Sequence, residues 1–368
     1  MSKPTIDHRG PDFAALTHGL IEGMRGVFKT EHHVLIYPAS GSGAWEAAIT
    51  NTLSPGDKVM VFEQGFFAGQ WAKVAERFGL NVQRVPWEPR RGLAADAVVD
   101  RLRDDVGHAI KAVLVVHNET SSCVTSDLQV IGTAMRESEH PAMLFVDAVS
   151  SLCISDLQHD AWGIDVTISG SQKGLMLPPG LAFVAIGPRA MEAHETASLP
   201  RHYWDWDDQL NALPGGGFPY TPATNLLYGL AEALEMLNEE GLDRVFARHA
   251  CFGEATRTAV AEWGLEAFAA NPLEASNGAT AVIVPDVADA DEVRAVILEW
   301  FDMALGTGLG PFKGRLFRVG HMGDLNALSL MGTLAGVEMG LALAGVDFQR
   351  GGVSAAMEYL TTEGRGCA

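Results

Sequence analysis

The sequence is short of positive charge. Its 26 Lys and Arg residues stand against 46 Asp and Glu, a formal net charge of −20. Nucleic acid and anionic membrane both demand a basic face, so neither is expected as a partner. Small anionic substrates need only one or two local arginines and stay open. Cysteine is scarce: Cys123, Cys153, Cys251 and Cys367 are scattered and form no C-x-x-C pair. That fits reduced thiols and argues against a disulfide framework or a zinc site. No uncharged apolar run is long enough to span a bilayer, and the start, Met1-Ser2-Lys3-Pro4-Thr5, has no apolar core of a signal peptide. The expectation is a cytoplasmic protein. The histidines show no metal spacing, since His32 and His33 are adjacent while His8, His117 and His202 stand apart, so no metal is expected. Neither H-E-x-x-H nor G-x-S-x-G occurs, and zinc-hydrolase and serine-hydrolase readings lack support.

What is present is an ordinary globular composition, 47% hydrophobic and 20% charged over 368 residues, long enough for one large domain and a smaller one. From residue 34 the pattern is strand, turn, helix, repeated. Val34–Tyr37, Lys58–Phe62, Val82–Val85, Ala112–Val116, Met143–Val146, Val166–Ile168 and Leu181–Ile186 read as strands. Continuous apolar runs such as Ala112–Val116 mark strands covered on both faces. Helical stretches fall between them at Ala44–Leu53, Gly65–Phe78, Ala94–Arg103 and Asp127–Ser138. This alternation predicts an α/β fold: a mostly parallel, seven-stranded sheet flanked by helices. Pro200–Pro222 is aromatic and glycine-rich without periodicity, which suggests a functional loop or an interface. Helices are expected over Ala223–Asn238 and from Gly241 to Trp263. A smaller α+β domain is expected beyond Asn271, with strands at Ala279–Val284 and Arg315–Val319 and helices at Asp291–Met303 and Leu325–Ala344. The expected division is 1–245 for the large domain with an N-terminal arm and 246–368 for the small one.

Three places could carry chemistry. Ser169-Gly170-Ser171-Gln172-Lys173-Gly174 is a glycine- and serine-rich turn at a strand end, the rim where α/β proteins bind ligands. A primary amine there can condense with an aldehyde. Ser40-Gly41-Ser42-Gly43 joins a strand to a helix, where backbone amides can cradle a phosphate. It lacks the third glycine of a dinucleotide fingerprint and the Gly-Lys-Ser/Thr of a P-loop. Asp147 ends an apolar strand and is a helix cap, a metal ligand or the partner of a buried cation. Arg318, alternating in Leu316-Phe317-Arg318-Val319-Gly320, is a strand salt bridge or a bidentate clamp for a carboxylate.

In this order the motifs resemble fold-type I enzymes that use pyridoxal phosphate (PLP), and among them the class V aminotransferases. The stretches Ile6-Asp7-His8-Arg9-Gly10-Pro11, Ser40 to Glu46, His117-Asn118-Glu119-Thr120, Val146 to Ser151, Gly170 to Gly174, Leu177 to Leu181, Phe218 to Pro222 and Arg318 to Gly323 are similar to serine–glyoxylate and alanine–glyoxylate aminotransferases. The bacterial serine–glyoxylate branch, which includes enzymes using aspartate as donor, is the nearest in pattern. The resemblance implies a homodimer or higher assembly with shared active sites, acting on small amino acids and 2-oxo acids. It implies transfer of the amino group of serine, alanine or aspartate to glyoxylate; a PLP-dependent lyase or desulfurase of the same fold is the alternative. By resemblance Lys173 would form the Schiff base and shuttle the proton, and Asp147 would pair with the ring nitrogen. Ser42, Gly43 and Ala44 would hold the phosphate, with Gln172 and the neighbouring subunit's Thr221. Phe67 would cover one face of the ring and Val149 the other, Thr120 would bond the ring hydroxyl, and Arg318 would bind the substrate carboxylate. On the residues alone, Phe67 and Trp45 read as core. The likeness departs at two places. Relatives carry Pro-Gly-Pro ahead of the equivalent of Pro4-Thr5-Ile6, where this sequence reads Met1-Ser2-Lys3. Phe218 stands where many relatives have a tyrosine that touches the phosphate.

Overall fold

The computed structural model describes residues 1–364. Its centre is a seven-stranded sheet. In chain order the strands are β1 (His33–Tyr37), β2 (Lys58–Glu63), β3 (Asn81–Pro86), β4 (Ile110–Val116), β5 (Met143–Asp147), β6 (Val166–Gly170) and β7 (Ala182–Ile186). Across the sheet they run β1-β7-β6-β5-β4-β2-β3. The pairings from β3 through β6 are parallel, and β7 is antiparallel to both neighbours. The reason lies in the connection. Parallel strands need a long crossover, but β6 and β7 are joined by the helix-free segment 171–181. Ser171 closes it: its N–H donates to the Leu181 carbonyl at 3.0 Å, and its hydroxyl accepts the Leu181 N–H at 3.1 Å. The turn expected to carry Lys173 is therefore a tight return at the sheet rim.

The helices that follow the first four strands keep to the sequence pattern. α1 (Pro11–Phe28), α2 (Gly41–Thr52), α3 (Phe66–Arg77), α4 (Ala95–Asp104), α5 (Leu128–Glu137), α6 (Pro188–His194) and α7 (Trp206–Ala212) belong to the first half, and α8 (Thr224–Glu240) and α9 (Leu242–Glu262) follow. Three of these depart from expectation. α6 follows β7 where the sequence reading has no helix. α1 lies ahead of the first expected element. Its buried face, Phe13, Thr17, Leu20, Met24 and Val27, has helical spacing, but Gly19, Gly23 and Gly26 dilute the pattern. Gly23 is needed, because a Cβ there would come within 2.7 Å of Leu234 on α8. α7 lies inside the segment read as aperiodic. Asp205 starts it by accepting the N–H groups of Asp207 and Asp208.

Apolar side chains fill both faces of the sheet. Val34, Ile36, Val113, Val115, Leu144 and Val146 face one core with α1 and α8. Leu35, Tyr37, Ala112, Leu114, Phe145 and Ile168 face the other with α2 and α3. The alternation along each strand is the period of two expected of a pleated strand.

A second sheet of four antiparallel strands follows: β8 (Glu266–Ala267), β9 (Ala279–Ile283), β10 (Gly306–Thr307) and β11 (Leu316–Gly320), in the order β8-β9-β11-β10. Helices α10 (Ala290–Phe301), α11 (Ala327–Leu343) and α12 (Gly352–Thr361) cover it, the last of them absent from the sequence reading. α9 links the two halves: Val245 packs in the first core, while Phe252, Ala255 and Ala259 pack in the core of the second sheet. Cys123 and Cys153 are buried free thiols. Cys251 departs from the expectation of reduced cysteines, being disulfide-bonded, and Cys367 lies outside the described residues. No helix among the described residues is long and apolar enough to cross a membrane.

The lysine turn tolerates no side chain at Gly174. A Cβ there would lie 2.2 Å from the Leu152 carbonyl oxygen and 3.0 Å from the Cys153 backbone. Gly174→Ala should therefore cost about 1–3 kcal/mol of stability, as overpacking does. Urea unfolding would read this, and an unchanged midpoint would show that the turn is loosely held.

Candidate active site

The site forms at the carboxyl ends of the strands, the usual ligand rim of an open α/β sheet. Val116, Asp147 and Ile168 pair in register there. A cavity of about 160 Å³ opens beside them. Ser42, Phe67, Thr120, Asp147, Val149, Gln172 and Lys173 all line it, together with Ser40, Gly41, Trp45, Asn118 and Ser150. A larger depression of about 760 Å³ lies at the amino ends of the same strands, against Ile110, Met143 and Asp165. Size alone does not choose between them; the chemistry of the lining does.

One wall of the small cavity is the start of α2. The Ser40 carbonyl accepts the N–H groups of Gly43 at 2.9 Å and Ala44 at 3.2 Å. The N–H groups of Gly41 and Ser42 lie ahead of any helical acceptor, so the positive end of the helix opens toward the cavity. No acidic residue occupies this first turn. A Cβ on Gly41 would meet Val149 at 2.5 Å, and one on Gly43 would meet the Trp204 ring at 2.8 Å. Gly43 and the fully buried Ala44 lie a step behind the lining itself.

Asp147 faces this wall from the end of β5 and is 4% exposed. One carboxylate oxygen accepts the Trp45 indole N–H at 2.8 Å and the other the Val149 N–H at 2.8 Å. Trp45 in turn stacks on Trp71, with centroids 5.7 Å apart. Burial pushes the Asp147 carboxyl up to about 7. The two hydrogen bonds and Lys173 pull against that, and Glu119 adds to it. Among the described residues no cation stands in ion-pair contact with Asp147. A carboxylate this buried and this poorly compensated is a ready partner for a ligand cation.

Lys173 is half-buried. Burial lowers its ammonium from the ordinary lysine value, the Arg318 charge lowers it further, and Cys123 and Asp147 oppose the shift. The amine is thus closer to its neutral, nucleophilic form. Gln172 beside it buries a side-chain oxygen that has no hydrogen-bond partner. Arg318 reaches the site from β11. Its Nε donates to the Thr307 carbonyl at 3.0 Å and Nη1 to the Thr120 carbonyl at 2.8 Å. It forms no ion pair with an acid among the described residues, so the salt-bridge alternative for this arginine has no partner. Thr120 also shares a 2.6 Å hydrogen bond with the Ser150 hydroxyl.

Thr221 stands apart. It is exposed, in a separate depression lined by Arg9, Gly216 and Phe218. Sequence reasoning missed three contributors. Trp45 is both core and hydrogen-bond donor to Asp147. Ser150 bonds Thr120, and Glu119 sits buried behind Phe67. Two signals pointed their way, the Asn118-Glu119-Thr120 run and the serine pair after Asp147, but neither identifies a partner.

The donor set suits one kind of ligand: an anionic group for the open end of α2, a protonated ring nitrogen for Asp147 and an electrophilic carbon for Lys173. The uncompensated Asp147 is the feature such a ligand would satisfy. Comparison with known proteins agrees with this chemistry. A family model for class-V aminotransferases matches residues 5–308. The chain is 45% identical over 360 residues to an L-aspartate–glyoxylate aminotransferase of Paracoccus denitrificans, covering 97% of this chain and 90% of that protein. It is 46% identical over 361 residues to a serine–glyoxylate aminotransferase of Methylorubrum extorquens, covering 96% and 90%. Its fold matches a pyridoxamine–pyruvate aminotransferase from Mesorhizobium loti with a TM-score of 0.92 at 26% identity, covering 98% of this chain and 92% of that one.

The raised Asp147 carboxyl makes stability depend on pH. Its folded-state value, about 7, lies above the ordinary 3.8. Folding therefore favours the protonated acid. The stabilisation is complete below the unfolded value and is lost as pH rises through about 7. The ligand-free wild type should lose stability relative to Asp147→Asn between about pH 4 and about pH 8. Denaturant titrations of both proteins across that range would measure it. A stability difference that stays constant with pH would show that Asp147 ionises as a solvated carboxyl does.

Proposed function

The chain belongs to the class-V aminotransferases, and from that premise we propose that it moves the amino group of a small L-amino acid to glyoxylate, with pyridoxal phosphate as cofactor. The amino donor is serine, alanine or aspartate, the products glycine and a 2-oxo acid. The observation that carries this reading is the meeting of Lys173, Asp147 and the open start of α2 in one small cavity. Relatives named for aspartate and serine as donors share glyoxylate as acceptor.

When bound, pyridoxal phosphate supplies an electron-withdrawing ring that stabilises negative charge at the substrate α-carbon. The chain's residues do the rest. Lys173 would hold the cofactor's reactive carbon and, once displaced by the incoming amine, would take and return the α-proton at Nζ, a role that its lowered affinity for protons suits. Asp147 keeps the ring nitrogen protonated, and Trp45 and the Val149 N–H keep the Asp147 carboxylate aimed. Backbone N–H groups at the start of α2, around Ser42, Gly43 and Ala44, hold the phosphate with Gln172. Phe67 and Val149 enclose the ring and exclude water, and Thr120, bonded to Ser150, meets the ring hydroxyl. Arg318 clamps the α-carboxylate that donor and acceptor have in common. We place Thr221 of the partner subunit at the phosphate, which makes the enzyme a homodimer with shared sites; the exposure of Thr221 away from its own cavity supports this.

A screen of L-amino acids against glyoxylate tests the reaction. Glycine should accumulate with at least one of serine, alanine and aspartate, and Lys173→Ala should abolish it. No glycine from any of the three would refute the proposal, and sedimentation showing a fully active monomer would refute the shared site.

Arg318→Lys should raise KM for both amino donor and glyoxylate, with a loss of roughly ten- to a hundredfold in kcat/KM, the worth of a charge-assisted hydrogen bond. An ammonium cannot reproduce the parallel pair of bonds that a guanidinium makes to a carboxylate. Steady-state kinetics with each substrate varied in turn decide it. Unchanged KM values with a lowered Tm would make Arg318 a structural residue.

A further inference from the structure

Glu119 is fully buried, and among the described residues it forms no ion pair. A buried carboxylate in that position must be satisfied by hydrogen-bond donors or the fold would not keep it. Its oxygens accept the Phe67 N–H at 3.1 and 3.3 Å, the Ala68 N–H at 3.1 Å, the Ser121 N–H at 3.0 Å and the Ser121 hydroxyl at 2.7 Å. The Ser121 hydroxyl accepts the Phe66 N–H at 3.0 Å. All three N–H groups of the first turn of α3 are thus satisfied from Glu119 and Ser121, a segment distant in sequence.

The usual capping residue cannot do this work, because the N-cap is Gly65, which has no side chain. Nor could it be larger. A Cβ on Gly65 would lie 2.5 Å from Glu119 Cγ and 2.5 Å from Ser121 Oγ. The carboxylate takes the place of the cap and adds its charge to the positive end of the helix.

Two parts of the site hang on this anchor. Phe67 lines the cavity, and its backbone N–H is one that Glu119 holds. Thr120, the next residue, also lines the cavity and receives Arg318 on its carbonyl. One carboxylate therefore fixes the ring-bearing turn relative to the segment that seats the arginine.

We propose that Glu119 is a positioning residue: its buried carboxylate sets the Phe67 ring against the cofactor, and so tightens cofactor binding beyond any contribution to holding α3 in place. This rests on the function proposed above. Glu119→Gln preserves the shape but turns an amide NH₂ toward backbone N–H groups, leaving at least one of them unpaired.

The test is equilibrium binding of pyridoxal phosphate to apoenzyme, read by absorbance titration and independent of turnover. Glu119→Gln should raise Kd by about tenfold, the worth of a hydrogen bond to a charged group. In a Phe67→Ala background the same substitution should change Kd little, because the ring it positions is gone. Ser121→Ala removes the hydroxyl that links Glu119 to Phe66. It should act in the same direction, and its effect should also vanish with Phe67→Ala, so the test survives if Glu119→Gln does not fold. A purely structural role would lower Tm while leaving Kd unchanged, or would weaken binding equally with and without the ring; either result overturns the inference alone. Failure of the wild type to bind pyridoxal phosphate would overturn the proposed function and this inference with it.

Discussion

A carboxylate buried at a strand end, with no ion-pair partner among the described residues, sets the terms for the rest of this structure. Asp147 is held by one indole N–H and one backbone N–H, too little to offset its loss of water, and its carboxyl rises to about 7. The arrangement costs the unliganded chain stability and leaves a place for a positive charge to enter. The surroundings of Asp147 serve its aim. Trp45 is fixed by stacking on Trp71, and Val149, pressed against Gly41, ties the strand end to the start of α2.

The architecture makes this possible because several connections end at one rim. β1 delivers the open helix end, β5 the acid, and the short return between β6 and β7 the lysine. That return also reverses β7 in an otherwise parallel sheet. Close backbone approach recurs at the points of contact. Gly174 sits against the Leu152 carbonyl, Gly41 against Val149 and Gly65 against Glu119. None of the three needs a left-handed backbone; each is a glycine because no side chain fits.

Charge is distributed with the same economy. The chain is strongly acidic overall, yet the site brings a lysine and an arginine near one another, and among the described residues neither forms an ion pair with an acid. Lys173 is weakened as a base by burial and by Arg318. Arg318 is oriented by two carbonyls, which steer a guanidinium without cancelling its charge. That leaves it able to meet a carboxylate arriving from solvent.

The sequence by itself determined the seven strands of the main sheet, two strands of the second sheet and most of the helices, and it singled out the candidate groups that the fold brings to one cavity. Runs such as Ala112–Val116 and Met143–Val146 are apolar enough to read as buried strands, and the turns around Ser42, Asp147 and Lys173 carry residue types that packing alone does not call for. α1 escaped because three glycines dilute its pattern, and one of them, Gly23, answers to a neighbour, Leu234, that the local sequence does not contain. Partnership was decided only by the tertiary structure. The pairing of β7 with β1, the Trp45 hydrogen bond to Asp147, the seating of Arg318 on Thr120 and the capping of α3 by Glu119 each join residues far apart in the chain. Periodicity reports which face of an element is buried, but not which distant donor or acceptor will meet it there. That depends on how the elements stack, and so on the whole chain at once.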